Sequence, residues 1–241
     1  MRLAVISDVH GNVRALEAVL ADIRKRAPDS IVNLGDCVTS PLWPRETLDL
    51  LDSLSLPTVR GNHDRWIAEP ATAPPSTSIT FTREALSPHQ RATLGALPPR
   101  IDLGDGVLAV HGTPASDAEY LLEEKVDGRL ALVNADTLGE RLGDLRAELV
   151  LCGHSHHQHV AADRQGRLVL NPGSVGCPRY ADNADRLVNE AGSPHARYAI
   201  ATKRGDRWSI DLVVLAYDWS AVAAQARRNG RADWAHGFLG V

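Results

Sequence analysis

Five short clusters in this chain carry carboxylate, amide or imidazole side chains. They are Asp8-Val9-His10, Gly35-Asp36, Gly61-Asn62-His63-Asp64, His111-Gly112 and Gly153-His154-Ser155-His156. Alone, each has a plain structural reading. Asp-x-His suits a turn followed by a helix cap, and Gly-Asp suits a turn because Asp bonds its own backbone there. A single His after Val110 suits a strand end. Gly-Asn-His-Asp holds more consecutive polar residues than a turn needs. In Gly-His-Ser-His, the alternation of an extended chain puts both imidazoles on one side.

The joint pattern says more. Asp8 and Asp36 supply two carboxylates, Asn62 an amide oxygen, and His10, His111, His154 and His156 four imidazoles. Imidazole mixed with carboxylate suits Mn, Fe, Zn or Ni better than Ca or Mg alone. Seven such groups exceed what one tetrahedral zinc takes. Two cations about 3.5–4 Å apart, sharing one carboxylate, would use them all.

The clusters need elements to position them. The apolar runs at 2–7, 30–36, 57–64, 107–112 and 148–154 read as strands, each ending in one cluster. In α/β sheets, ligands bind outside the carboxyl ends of strands, so five strand ends point to one place. Between the first strands, Val13, Leu16, Val19, Leu20 and Ile23 recur at helical spacing over 13–26, and Pro44 opens a second helix over 44–54. This alternation predicts βαβ units and a largely parallel sheet in the first half.

Residues 69–80 read as a loop and 81–98 as helical, interrupted at Pro88. Further strands are expected at 167–173, 196–202 and 208–216, with hairpin turns at 164–167 and 203–207, so the second half is more antiparallel. A helix is expected over 137–148, with Thr137 and Glu140 as a capping box. A polar loop over 182–195 and a helical segment over 219–235 complete the chain, read as one domain over 1–241 with its core in 1–216.

Composition excludes several classes. The 241 residues carry 44% hydrophobic and 23% charged side chains and a net charge of −4. That balance offers no bulk basic field to collect nucleic acid. No stretch reaches the roughly 18 apolar residues of a membrane span. The opening run is too short for a signal-peptide core, and Asp8 interrupts it. Cys37, Cys152 and Cys177 are few, odd in number and far apart, which suits reduced thiols in a cytoplasm. Cys37 and Cys152 read as packing residues, and His157 and His159 as peripheral to the site.

The ordered set "SDVHGN", "GD", "GNHD", "HG" and "GHSH" resembles the calcineurin-like metallophosphoesterase family, over roughly residues 1–216. "GNVRALEAVL" and "LVLNPGSVGCPR" are similar to its bacterial small phosphodiesterase-like branch. The resemblance implies an α/β fold: a two-sheet αββα sandwich of mixed β-sheets flanked by helices. It implies two divalent metal ions, manganese or iron with nickel or zinc as alternatives. Asp8, His10 and His156 would hold the first, Asn62, His111 and His154 the second, and Asp36 would bridge them. His63 matches the family's catalytic histidine and Asp64 its orienting carboxylate. The implied reaction is hydrolysis of a small or nucleotide-like phosphate ester by a metal-bridging hydroxide, with His63 assisting the leaving group.

Two further residues are candidate phosphate contacts. Asn12 is read equally as substrate contact or helix N-cap, and Arg179 equally as phosphate ligand or surface arginine. "GDCVTSP" departs from the "GDxVDRG" of the protein phosphatase branch and lacks its phosphate-gripping arginine. The alternatives are a phosphomonoesterase, a Ser/Thr protein phosphatase, or a non-catalytic scaffold such as the retromer subunit that resembles these enzymes. The oligomeric state is left open, a homodimer among the arrangements.

Overall fold

The computed structural model of the protein describes residues 1–182 and 187–239. Its strands are β1 (Arg2–Ile6), β2 (Ser30–Asn33), β3 (Arg100–Asp102), β4 (Val107–Val110), β5 (Glu123–Val126), β6 (Arg129–Leu132) and β7 (Leu149–Leu151). They continue with β8 (Gln158–Ala162), β9 (Leu168–Pro172), β10 (Arg179–Asp182), β11 (Leu187–Glu190), β12 (Ala196–Arg204) and β13 (Arg207–Leu215). The helices are α1 (Val13–Arg26), α2 (Pro44–Leu54), α3 (Asn62–Ala68), α4 (Thr77–Ala85), α5 (Pro88–Gly95), α6 (Ala135–Leu142), α7 (Trp219–Arg228) and α8 (Ala232–Leu239). None of the described helices is long and apolar enough to cross a membrane.

Strand alternation builds the layers. One sheet runs β13-β12-β1-β2 and the other β3-β4-β7-β9-β8. In β1, Leu3 and Val5 face the second sheet and pack with Val32, Ala109, Leu149, Leu151, Leu170 and Ala199. Ala4 and Ile6 point the other way, onto Leu16, Val19, Leu20 and Ile23 of α1. On the far side of the second sheet, Val110, Val150, Cys152 and Val169 receive Leu138 and Leu142 of α6. Helix, sheet, sheet and helix layers follow, which is the αββα sandwich expected. β1–β2, β4–β7 and β7–β9 pair in parallel, while β12, β13, β3 and β8 are antiparallel to their neighbours.

Several expectations change. The strand expected at 57–64 shrinks to one parallel bridge between Asn33 and Thr58. Gly61 then caps α3, and its amide donates to the Asp64 carboxylate (2.9 Å), so the chain turns into a helix before a ladder can grow. The helix expected at 137–148 is α6, capped earlier by Asn134, whose Oδ1 accepts from the amides of Asp136 and Thr137. Gly143, at φ +55°, ends it.

The loop expected at 69–80 already contains the start of α4, and Pro88 opens α5 at N1 after the Ser87 cap. The polar stretches hide two hairpins, β5–β6 and β10–β11. The polar loop expected at 182–195 is therefore partly strand β11, and its residues 183–186 lie outside the described residues. The terminal helical segment is two helices, separated by Asn229 and Gly230, the latter at φ +73°.

Leu151 is fully buried between the sheets. Leu151→Ala should lower the free energy of unfolding by about 2–5 kcal/mol, since the strands on both sides limit collapse of the cavity. Urea denaturation checks this, and a loss below about 1 kcal/mol would contradict a close-packed sheet interface.

Candidate metal centre

The strand ends converge as expected, and the backbone there is unusual. Among the described residues, nine non-glycine residues have positive φ, and five of them are Asp8, His10, Asp36, His154 and His156. Side chains rarely adopt this left-handed region, so the strain is concentrated where the ligand-type residues are. Backbone hydrogen bonds hold it in place. Asp8 N donates to Gly35 O (3.0 Å), His10 N to Asp36 O (3.0 Å) and Gly11 N to Cys37 O (3.1 Å). These bonds extend the pairing of β1 with β2 into the two loops.

Two glycines let other loops approach. A Cβ at Gly61 would lie 2.1 Å from Asp36 Oδ1, and one at Gly153 would lie 2.1 Å from Ser7 Oγ and 2.9 Å from Asp8 Oδ2. The glycines of "GNHD" and "GHSH" are clearance for the carboxylates beside them.

The ligand-type atoms form two groups, Asp8 with His10 and His156, and Asp36 with His111 and His154. Asn62 joins the second group, its Oδ1 3.0 Å from His111 Nε2. Asp36 Oδ2 lies between the groups, 3.6 Å from His10 Nε2 and 3.5 Å from His111 Nε2.

Outer hydrogen bonds orient the rings. The Nδ1 atoms of His10, His111 and His156 donate to the carbonyls of Thr39 (3.0 Å), Leu34 (2.7 Å) and Cys177 (2.9 Å). Each Nε2 therefore faces inward, the arrangement seen in metal-binding histidines. His154 is reversed: its Nε2 donates to Ala118 O (3.1 Å), which leaves Nδ1 inward.

The inward-facing atoms of the first group converge closely. His10 Nε2 and His156 Nε2 are 3.1 Å apart, each on a ring whose other nitrogen already donates. Asp8 Oδ1, 3.3 Å from His156 Nε2, is buried without a hydrogen-bond partner. The His10 lone pair, the His156 Nε2 and the orphaned carboxylate oxygen converge on one point, a donor set that fits a divalent cation once His156 gives up its proton.

Charges in the metal-free protein show the same need. Burial pushes His10 and His154 down to about 3, so both are neutral, as metal ligands must be. Burial also acts to lower His111, but the Asp36 charge and its hydrogen bond override it and raise the group to about 10. His156 is raised well above its usual range in the same way by Asp8, again against burial. Protons therefore occupy positions that cations would take.

The remaining sequence candidates fare differently. His63 is in the cluster, edge-on to His10 (5.2 Å between centroids) and to Trp66 (4.8 Å). Its Nδ1 is buried and has no hydrogen-bond partner among the described residues. Asp64 does not orient that ring. Its carboxylate accepts from the amides of Asp36 (2.8 Å), Cys37 (2.9 Å) and Gly61 (2.9 Å), because the first turn of α3 points it back at the Asp36 loop.

Asn12 is the N-cap of α1 and is fully buried. Its Oδ1 accepts from Ala15 N (3.1 Å), and its Nδ2 donates to Gly176 O (3.0 Å) and Tyr217 Oη (3.1 Å). Its amide is committed inside the protein, which leaves none of it for phosphate. Arg179 Nε donates to Glu190 Oε1 across the β10–β11 hairpin (2.9 Å), so its charge is partly compensated there. Cys37 and Cys152 are buried free thiols, pushed well up by burial, and act as packing.

Two site residues carry no sequence signal. Tyr120 stacks on His154 (4.7 Å, 24°), Tyr180 sits edge-on to His156 (4.7 Å), and their hydroxyls meet at 2.9 Å. Both lie outside the strands and helices expected from the sequence, and only tertiary structure brings them together.

The calcineurin-like phosphoesterase superfamily domain matches residues 1–191. The chain belongs to that superfamily. It is a phosphoric ester hydrolase by this membership, and the His and Asp groups above are its candidate metal-binding residues. The chain is 28% identical to an uncharacterized protein of Methanocaldococcus jannaschii, over 96% of this chain and 94% of that one. A metallophosphoesterase from Sphaerobacter thermophilus is similar in structure, with 27% identity, a TM-score of 0.71 and coverage of 98% and 100%. A hypothetical protein from Pyrococcus horikoshii OT3 shares the fold at 18% identity and a TM-score of 0.76, with coverage of 98% and 97%.

Loading the metal-free protein at pH 7.5 should release about two protons per chain, because the raised His111 and His156 must deprotonate to ligate. Apparent metal affinity should accordingly rise with pH between 6 and 9. Calorimetry in buffers of different ionisation enthalpy measures the release, and loading without it would mean that Asp36 and Asp8 do not hold these two imidazoles protonated.

Proposed function

We propose that the chain is a dinuclear-metal phosphodiesterase acting on a small or nucleotide-like phosphate ester. One observation carries this reading: Asp36 Oδ2 lies within 3.6 Å of imidazole nitrogens from both ligand groups. Asp8, His10 and His156 would hold one cation, Asn62, His111 and His154 the other, and Asp36 both. Manganese or iron is the favoured metal, with nickel or zinc as alternatives. Two divalent cations bound there supply positive charge for the phosphoryl oxygens and acidify water toward neutral pH.

The chain's own residues supply the rest. Burial holds the His63 imidazole below its usual range, so it rests neutral. An anionic ester beside it favours the charged form, and the ring can then hold a proton for the leaving oxygen. Asp64 acts at one remove, by fixing the amides of the Asp36 loop. Tyr120 and Tyr180 wall the ligand groups with aromatic faces, surfaces on which a base can stack.

The diester preference rests on the charge at two positions among the described residues. Ser40 stands where the protein phosphatase branch has its arginine, and its backbone is hydrogen-bonded to Thr82 Oγ1. The Arg179 charge is partly compensated by Glu190. A diester monoanion needs less compensation than a monoester dianion. His63 favours a second reading, phosphomonoesterase or Ser/Thr protein phosphatase, since an alkoxide leaving group benefits most from a proton donor. The full ligand set argues against a scaffold. Three buried free cysteines suit a reducing, cytoplasmic setting.

Turnover of aryl diesters, cyclic nucleotides, dinucleotides, monoesters and phosphopeptides, each with Mn, Fe, Ni, Zn and Mg, tests the proposal. Diesters should show the highest kcat/KM. A monoester preference moves the assignment to the second reading, and a metal-loaded protein that turns over neither class revives the scaffold.

Asp36→Asn should lower occupancy of both cations together, measured by elemental analysis; loss of only one means the carboxylate is not shared. His63→Ala should keep its metals and lose about 10²–10⁴-fold in kcat on alkyl esters, less on aryl esters. Metal loss in that variant would make His63 a ligand.

A further inference from the structure

Beside the centre described above lies a third convergence of ligand-type groups, two of which, His157 and His159, read as peripheral in the sequence. Glu123 opens β5, and His157 and His159 flank Gln158 at the start of β8. Strand alternation puts both imidazoles on one face. The Gln158 amide goes the other way, donating to the carbonyls of Tyr198 (3.1 Å) and Val213 (3.0 Å). One ligand atom from each of Glu123, His157 and His159 lies within 4.8 Å of the others. Glu123 Oε1 is 3.8 Å from His159 Nε2.

The carboxylate is the unusual member. Glu123 is 2% exposed, and a buried carboxylate is costly unless it is paired. Ser155 Oγ donates to its Oε1 (2.8 Å), which supplies a hydrogen bond but no charge. Arg141 is close, yet its Nη1 is directed at the carbonyls of Tyr120, Leu121 and Glu123 itself. The His159 imidazole lies beside the carboxylate, but burial holds it below its usual range, so it supplies no charge either. That side chain is 29% exposed, so a cation has a path in from solvent. None of the three residues belongs to the two ligand groups around Asp8 and Asp36.

We infer that Glu123, His157 and His159 form a separate mononuclear site for a zinc-type divalent cation. Two imidazoles and one carboxylate with a fourth position open to water is a donor set that zinc accepts. Tetrahedral zinc brings its ligand atoms to about 3.3–3.5 Å from one another, so small side-chain rotations from the observed spread suffice. The cation would tie the β5–β6 hairpin to the start of β8. Both segments follow residues of the candidate centre, Tyr120 before β5 and His154 and His156 before β8. Ser155, between those two histidines, already bonds the same carboxylate.

The test is a metal count with a positional readout. Full-length protein is loaded with zinc, dialysed and analysed for metal per chain, alongside a His157→Ala/His159→Ala double variant. The variant should hold one zinc fewer than the unsubstituted protein. Anomalous diffraction at the zinc edge from crystals of the unsubstituted protein should show a peak between the Glu123 carboxylate and the two imidazoles. No peak at that position overturns the inference, as do equal counts in the two proteins. If circular dichroism shows that the double variant fails to fold, the anomalous map decides alone. Asp36→Asn separates this site from the dinuclear reading, because it should empty the Asp36 centre and leave the Glu123 peak in place.

Discussion

Asp36 is a carboxylate with 1% exposure, reached from two sides by imidazole nitrogens and from a third by the amide of His63 at 3.0 Å. Burying that charge is expensive, and the rest of the site can be understood as its compensation. The charge holds His111 protonated against the pull of burial. It also acts, after burial, to keep Asp64 raised to about 7, although three backbone amides point at that second carboxylate. A cation on each side of Asp36 would satisfy in one step what protons satisfy only in part.

Such concentrated charge needs a frame that cannot relax. The sandwich supplies it by ending parallel strands from both sheets at one edge and by zipping the loops beyond them. Val175 N donates to Ser7 O, Gly176 N and Ser174 Oγ donate to Asp8 O, and Gly153 N donates to His111 O. Loops from both sheets are thereby locked into one body. The left-handed backbone at Asp8, His10, Asp36, His154 and His156 persists because these bonds over-determine it. Asp64 belongs to this frame, and Asn12 does too: a side chain that first suggests a phosphate contact instead joins α1 to the 173–177 turn.

Freedom from hydrogen bonding is informative for His63. The neighbouring rings of His10, His111 and His156 each have a nitrogen anchored to a carbonyl, whereas His63 Nδ1 has no such anchor among the described residues. Packing against Trp66 and His10 orients the ring in place of a hydrogen bond. A ring held by packing keeps its nitrogens for chemistry, while a ring held by a carbonyl has its tautomer set.

Much was legible in the residues themselves. Alternating apolar residues specify the strands, helical spacing specifies α1 and α2, and polar clusters at strand ends specify where ligand-type groups gather. All seven candidate ligands do come together because strand-end placement is a local property, although left-handed backbone at His154 and His156 replaces the extended alternation expected there and sends them to different groups. The partners of polar side chains were not legible. Asp64 accepts from amides 27 and 28 residues away, Tyr120 meets Tyr180 across 60 residues, and Glu123 faces His159 from another strand. Hairpins β5–β6 and β10–β11 were hidden because their strands are short and burial there does not follow polarity: Val126, Leu132 and Val188 are exposed while Glu123 and Asn189 are buried. Sequence alone therefore determined which residues could do chemistry and at which strand ends they lie. Only the tertiary structure decided which of them gather in the candidate ligand groups and which brace the loops, because a hydrogen bond depends on a few tenths of an ångström that no local pattern records.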